Sequence, residues 1–218
     1  MGMQNKHSPN SGKSKMTGQV MTVNGPIDPS EVGTCIMHEH LFIDFWRDKA
    51  PGYNAPATEV AHWSEQLTLE NLHLARSRKH IKDNYLLTDE AVTIKDVMAF
   101  RNVGGNTIVD VTNIGLGRDP LALQRVANAT GLNIVMGSGW YQRFYHPKDM
   151  DQRTVQDLAD EIICDVNLGV GNTGVRSGII GEVGINGNPL TPNEEKSVRA
   201  SARASRTTGA ITLPSVSN

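Results

Sequence analysis

From Leu87 onward, runs with strand character and runs with helical character alternate one for one, and that alternation restricts the fold more than any other feature. After Thr88, read as an N-cap, Ile94, Val97, Met98 and Arg101 keep helical spacing up to a stop at Gly104-Gly105. Thr107-Ile108-Val109-Asp110-Val111 is β-branched and predicts a strand. Asp119-Pro120 supplies a cap followed by proline at the first helical position, where a missing N–H is harmless, and Gly131 ends that helix. Asn133 to Met136 predicts the next strand, and Val155, Leu158, Ala159, Ile162, Ile163 and Val166 then line one helical face. Val175 to Ile180 predicts a strand ending near Glu182, and Thr191-Pro192-Asn193-Glu194 is a capping box opening a helix that runs to Thr208-Gly209. Ile211-Thr212-Leu213 is a last, very short strand. Short apolar strands separated by amphipathic helices are the pattern of parallel βαβ units, arranged either as an open doubly wound sheet or as a barrel.

The chain before Leu87 is less regular. Val20 to Val23 predicts a short strand closed by the turn signal Asn24-Gly25-Pro26, and Thr34 to Met37 is an apolar run leading into His38. Arg47 to Tyr85 mixes Pro, Trp, His and charges without a period, as a long loop with some helix does. Residues 1–16 are polar and read as a disordered tail, leaving 17–218 as one domain. They hold no apolar stretch for a secretory signal, and Lys6 stands where a myristoylation motif needs Ser or Thr.

Composition narrows the function class. A net charge of −2 gives no footprint for nucleic acid or an anionic membrane, and the basic group Arg76, Arg78, Lys79 and Lys82 reads as a solvated helix face. No apolar run approaches the ~20 residues of a membrane span. Cys35 and Cys164 lie far apart without CxxC spacing, which favours reduced thiols and a cytoplasmic setting.

His38 and His40 are two residues apart, so on a strand their imidazoles share one face while Glu39 points the other way. Two neutral imidazoles at the C-terminal end of a strand are half of a metal site; the plain alternative is a pair of satisfied histidines. Glu182 lies within Gly178-Ile179-Ile180-Gly181-Glu182-Val183-Gly184, where flanking glycines allow close backbone approach. It is either a metal-bridging carboxylate or a structural one bonded to backbone amides. Gly115-Leu116-Gly117 lacks the further glycine and acidic partner of a dinucleotide fingerprint, which argues against the doubly wound alternative.

Gly25-Pro26 to His40, Val109 to Thr112 with Ile114 to Pro120, and Gly178 to Gly184 with Leu190 to Lys196 resemble phosphotriesterase and phosphotriesterase-related proteins of the amidohydrolase superfamily. The resemblance covers nearly everything after the tail, in the family's order. It implies a (β/α)₈ barrel with a binuclear centre, usually zinc. The implied reaction is attack of a metal-bound hydroxide on an ester, phosphoester, lactone or amide bond of a small-molecule substrate. By the same resemblance, His38 and His40 match the first-strand ligands of the more buried ion, and Glu182 the bridging ligand of the related branch. Trp140 and Tyr141 follow the third strand, where the family lines its substrate pocket, with plain packing as the alternative. Asp110 is expected to do structural work inside the barrel.

The family's fifth-strand histidine is expected after Leu213, where this chain has Pro214, and the sixth-strand histidine and eighth-strand aspartate fall beyond Asn218. A full barrel takes ~250 residues. The expected fold is therefore an α/β, partial (β/α)₈ barrel of about five of the eight strands, preceded by a short N-terminal β segment. Such a chain holds at most one zinc ion, offers no identified catalytic base, and is expected to be an impaired hydrolase. The alternative is a non-catalytic truncated pseudoenzyme or binding module. An unclosed sheet also exposes an edge, which a homo-oligomer could cover.

Overall fold

The computed structural model describes residues 18–77, 79–187 and 189–217; the tail expected at 1–16, and Arg78 of the basic group, lie outside them. A hairpin of β1 (Val20–Thr22) and β2 (Gly25–Ile27) comes first, so the expected turn at Asn24-Gly25 also begins a second, antiparallel strand. β3 (Cys35–Glu39) and the two-residue β4 (Ile43–Asp44) follow, then α1 (Ala57–Trp63), α2 (Leu72–Arg76) and β5 (Leu86–Leu87), which pairs back onto β4. The regular part comprises α3 (Glu90–Asn102), β6 (Thr107–Asp110), α4 (Pro120–Thr130), β7 (Asn133–Ser138), α5 (Val155–Asn167), β8 (Ile179–Asn186), α6 (Pro192–Thr208) and β9 (Thr212–Ser217).

β3, β6, β7, β8 and β9 form one parallel sheet in chain order. A doubly wound sheet reverses direction at a switch point; this sheet never does, and it curls into a half-barrel. Val109, Val111, Val135 and Ile179 fill the concave face with Val20, Cys35 and Leu213. The convex face is covered in two parts. Ile108, Ile134 and Met136 pack with Leu123 and Val126 of α4, whereas Ile180 and Val183 pack with Leu158 and Ile162 of α5 and Ala200 and Ala204 of α6. The N-terminal hairpin docks on β7 through the Val23 N–H, which donates to the Ile134 carbonyl at 2.8 Å.

The helix boundaries follow local chemistry, with one correction. α3 is capped by Asp89, which accepts from the Ala91 and Val92 N–H groups, and not by Thr88. Asp is the stronger N-cap residue and, one residue nearer the helix, its carboxylate reaches both donors. Two strands also differ in extent. β8 begins at Ile179 because residues 175–178 make loop bonds: Val175 accepts from Val170, and Ser177 and Gly178 donate to Asp165 and Met136. It then runs past Glu182 to Asn186. β9 extends to Ser217, paired with β8 throughout, and its Pro214 is tolerated because β9 is an edge strand.

The α6 cap joins that helix to the sheet. Glu194 is fully buried, and its carboxylate accepts from Thr191 N (2.9 Å), Thr191 Oγ1 (2.7 Å) and Asn186 N (3.0 Å). Burial opposes its charge, but the bonds from Thr191 and Asn186 outweigh it and hold the carboxyl below its ordinary value. Glu194→Ala is expected to cost about 2–3 kcal/mol in urea unfolding. Because the folded-state value is depressed, this stability is present above the ordinary glutamate value of ~4.3 and is lost as pH falls below it. The wild-type advantage over the variant should therefore shrink in acid.

Candidate metal centre

β3 sits at one end of the sheet and β8 is separated from it by two strands, yet Glu182 reaches the β3 histidines. The reason lies in the backbone at the C-terminal ends of the strands. At Gly137 on β7, a Cβ would lie 2.1 Å from the Gly181 carbonyl oxygen, so only glycine lets β8 lean across β7 there. Glu182 then bonds to the β6 end and not to β7. Its N–H donates to Val111 O at 3.0 Å, and its carbonyl accepts from the Asn113 side-chain amide. The side chain, 5% exposed, projects over β6 toward the end of β3.

There the carboxylate spans both imidazoles. His38 Nε2 lies 3.4 Å from Glu182 Oε2, and His40 Nε2 lies 3.4 Å from Oε1. The two rings meet edge to face at 5.7 Å, His38 half exposed and His40 more enclosed. All three donor groups lie within 4.8 Å of one another, and no other cluster of three or more such ligands occurs among the described residues. A separation of 3.4 Å is long for a charge-assisted hydrogen bond, which closes to about 2.7–2.9 Å. It matches the spacing of two ligands on one ion: donors ~2.0–2.2 Å from zinc at a tetrahedral angle stand about 3.3–3.6 Å apart. Two imidazoles and one carboxylate are moreover a donor set of catalytic zinc sites, which leave a fourth position open. The residues fit a single divalent cation.

A buried carboxylate supports this corner from below. Asp110 is fully buried, and its Oδ2 accepts from Leu41 N (2.7 Å) while Oδ1 accepts from Thr112 N (3.0 Å). Burial raises its carboxyl to about 6, against the pull of those hydrogen bonds and of His40. The structural work expected of Asp110 is thus to tie the end of β6 to the residue that follows His40. Thr112 and Asn113 were not apparent from the sequence, although both directly follow Val111 in the strand motif. Their contacts to His40 and Glu182 span 72 and 69 residues, beyond the reach of any periodicity.

The two aromatic residues after β7 are placed differently. Trp140 is fully buried among Met150, Leu158, Ile162 and Ile180, where its ring packs the layer between helices and sheet. Tyr141 belongs to a cluster with Leu116, Tyr145 and Phe45 beside the β4 segment.

A half-barrel that gathers His, His and Glu beside the C-terminal ends of β3 and β6 has the arrangement of an α/β-barrel metal site. The profile of the Phosphotriesterase family matches residues 18–217, and the chain belongs to that family, whose members are typically metal-dependent. It is 34% identical over 193 residues to an N-acetyltaurine hydrolase of Xenopus tropicalis, covering 88% of this chain and 54% of the relative. A phosphotriesterase-related protein of Nematostella vectensis is 33% identical over 199 residues, at 89% and 56% coverage. Among solved structures, a resiniferatoxin-binding protein from Rhodobacter sphaeroides superposes with a TM-score of 0.82 at 36% identity, covering 90% of this chain and 55% of that one. The chain spans about half the length of the curated relatives it matches. No helix among the described residues is long and apolar enough to cross a membrane.

Proposed function

We propose that His38, His40 and Glu182 hold one zinc ion, and that this site belongs to a hydrolase acting on an ester, phosphoester, lactone or amide bond of a small molecule. The observation that carries this is the pair of 3.4 Å imidazole–carboxylate separations, which suit a shared ion better than a hydrogen bond. When bound, such an ion supplies Lewis-acid polarisation of a carbonyl or phosphoryl oxygen and activates water as a nucleophile at neutral pH. The chain's own residues divide the remaining work. Glu182 neutralises charge at the buried side of the site, and His40 holds its inner wall. His38, half exposed, forms the side open to substrate. Relatives named N-acetyltaurine hydrolases favour an N-acyl amide among the substrate classes.

A second reading, a metal-binding module without turnover, draws on a specific observation: no fourth His, Cys, Asp or Glu joins the cluster among the described residues, and β9 carries Pro214 in register with Val183 of β8. A further carboxylate or imidazole is the kind of group that would accept a proton from the nucleophile, and none joins the cluster among the described residues. Zinc titration by calorimetry tests the shared core of both readings. Wild type is expected to bind one equivalent. His40→Ala and Glu182→Gln should each weaken binding by more than the ~10–100-fold that loss of an outer-shell partner costs. Equal binding by all three proteins would falsify the site. Assays of the zinc-loaded chain against an ester, a phosphotriester, a lactone and an N-acyl amide then separate the hydrolase from the binding module.

A further inference from the structure

His40 is held at the nitrogen that faces away from Glu182. Its Nδ1 lies 2.9 Å from Thr112 Oγ1, a hydroxyl on a residue only 1% exposed, while its Nε2 faces Glu182 Oε1 at 3.4 Å. Thr112 is itself fixed. Its N–H donates to Asp110 Oδ1 at 3.0 Å, and the second oxygen of that carboxylate takes the Leu41 N–H at 2.7 Å. One buried carboxylate therefore anchors both the residue after His40 and the residue whose hydroxyl touches its ring.

The direction of these bonds has a chemical consequence. His40 Nε2 faces the cluster, so the neutral tautomer able to ligate a cation there is the one whose single proton sits at Nδ1. The group facing that N–H at 2.9 Å is Thr112 Oγ1, whose lone pairs can accept it. A neutral imidazole protonated at Nδ1 carries its free lone pair at Nε2, on the side of the cluster. We propose that Thr112 is a positioning residue, which holds His40 in the Nδ1–H tautomer with Nε2 presented to the cation. The inference rests on the metal-centre reading and adds to it the group that selects the ligating nitrogen.

The test uses the full chain with Thr112→Val, which keeps the shape and removes the hydroxyl, and Thr112→Ser, which keeps the hydroxyl. In metal-free wild type, long-range ¹H–¹⁵N NMR, with His40→Ala identifying the signal, should show His40 protonated at Nδ1. In T112V the Nε2–H form should gain population and zinc affinity should fall about 10–100-fold, the usual effect of losing an outer-shell partner. T112S should restore both. A purely structural role for the hydroxyl would alter unfolding but leave the tautomer where it was. Wild-type His40 found in the Nε2–H form overturns the proposal whether or not T112V folds. If wild type binds zinc and T112V binds it as tightly, this proposal alone fails. If wild type binds no zinc, the metal-centre reading fails and takes this one with it.

Discussion

Asp165→Ala is expected to lower the free energy of unfolding by about 3–5 kcal/mol, among the largest effects of any single substitution in the chain. Asp165 lies on the buried face of α5, and its carboxylate meets Arg118 Nη1 at 2.8 Å with both side chains 6% exposed. Its Oδ2 also accepts from Ser138 Oγ at 2.7 Å, and Arg118 donates in addition to Gly137 O at 3.0 Å. The network pins α5 to the C-terminal end of β7, next to the glycine over which Glu182 crosses. Removing the carboxylate leaves a guanidinium enclosed with one carbonyl and no counter-charge, and its desolvation is then uncompensated. Replacing both ends with apolar side chains of similar volume, as in R118M/D165L, should cost far less, because no charge is then stranded. Guanidinium unfolding of the three proteins decides it. A loss below 1 kcal/mol for D165A, or a double variant as unstable as the single, would show that the pair does not act as an isolated buried couple.

Asp165 could have been noticed in the sequence. It falls three residues after Ile162 and seven after Leu158, inside the apolar stripe that identified α5. A charge on such a stripe is a demand for a buried partner, although nothing in the sequence shows that the partner is Arg118. The same division runs through the rest of the molecule. The alternation of strands and helices was legible because hydrophobic period and capping chemistry are local: the Asp119-Pro120 and Thr191-Glu194 caps lie where the residues place them. So were His38 and His40, because two-residue spacing on a strand determines which way both rings project. Strand ends were less legible. Glu182 was expected at the end of its strand, but it lies within β8, which stays paired with β9 as far as Asn186, while Gly137 lets it lean toward β6. The support beneath the site was legible only in part. Asp110 was expected to do structural work, but Thr112 and Asn113 act through bonds to His40 and Glu182, and a lone Thr or Asn at a strand end carries no distinguishing pattern.

Trp140→Ala should destabilise the chain by about 3–5 kcal/mol, the range for emptying a large aromatic site in a close-packed core. The ring is completely enclosed by α5, α6 and β8, and the Arg153 guanidinium covers it at 5.4 Å from the centroid. Alanine would leave a void bounded by Leu158 and Ile162 of α5 and Ile180 of β8, a helix and a strand that cannot both collapse inward. The indole contains one unfavourable element: its Nε1–H is buried without a hydrogen-bond partner. Trp140→Phe removes that orphaned donor and gives up only part of the volume, so the two effects oppose each other and the net change should stay within about 1.5 kcal/mol. A loss in W140F as large as in W140A would mean that the indole nitrogen does find a partner. The effect should also reach the metal centre, because Trp140 O accepts from Gly184 N at 3.2 Å and thereby holds β8 two residues beyond Glu182. W140A should accordingly weaken zinc binding as well as stability, whereas W140F should spare both; calorimetry on the same preparations would reveal W140A binding zinc like wild type if β8 keeps its place without the ring.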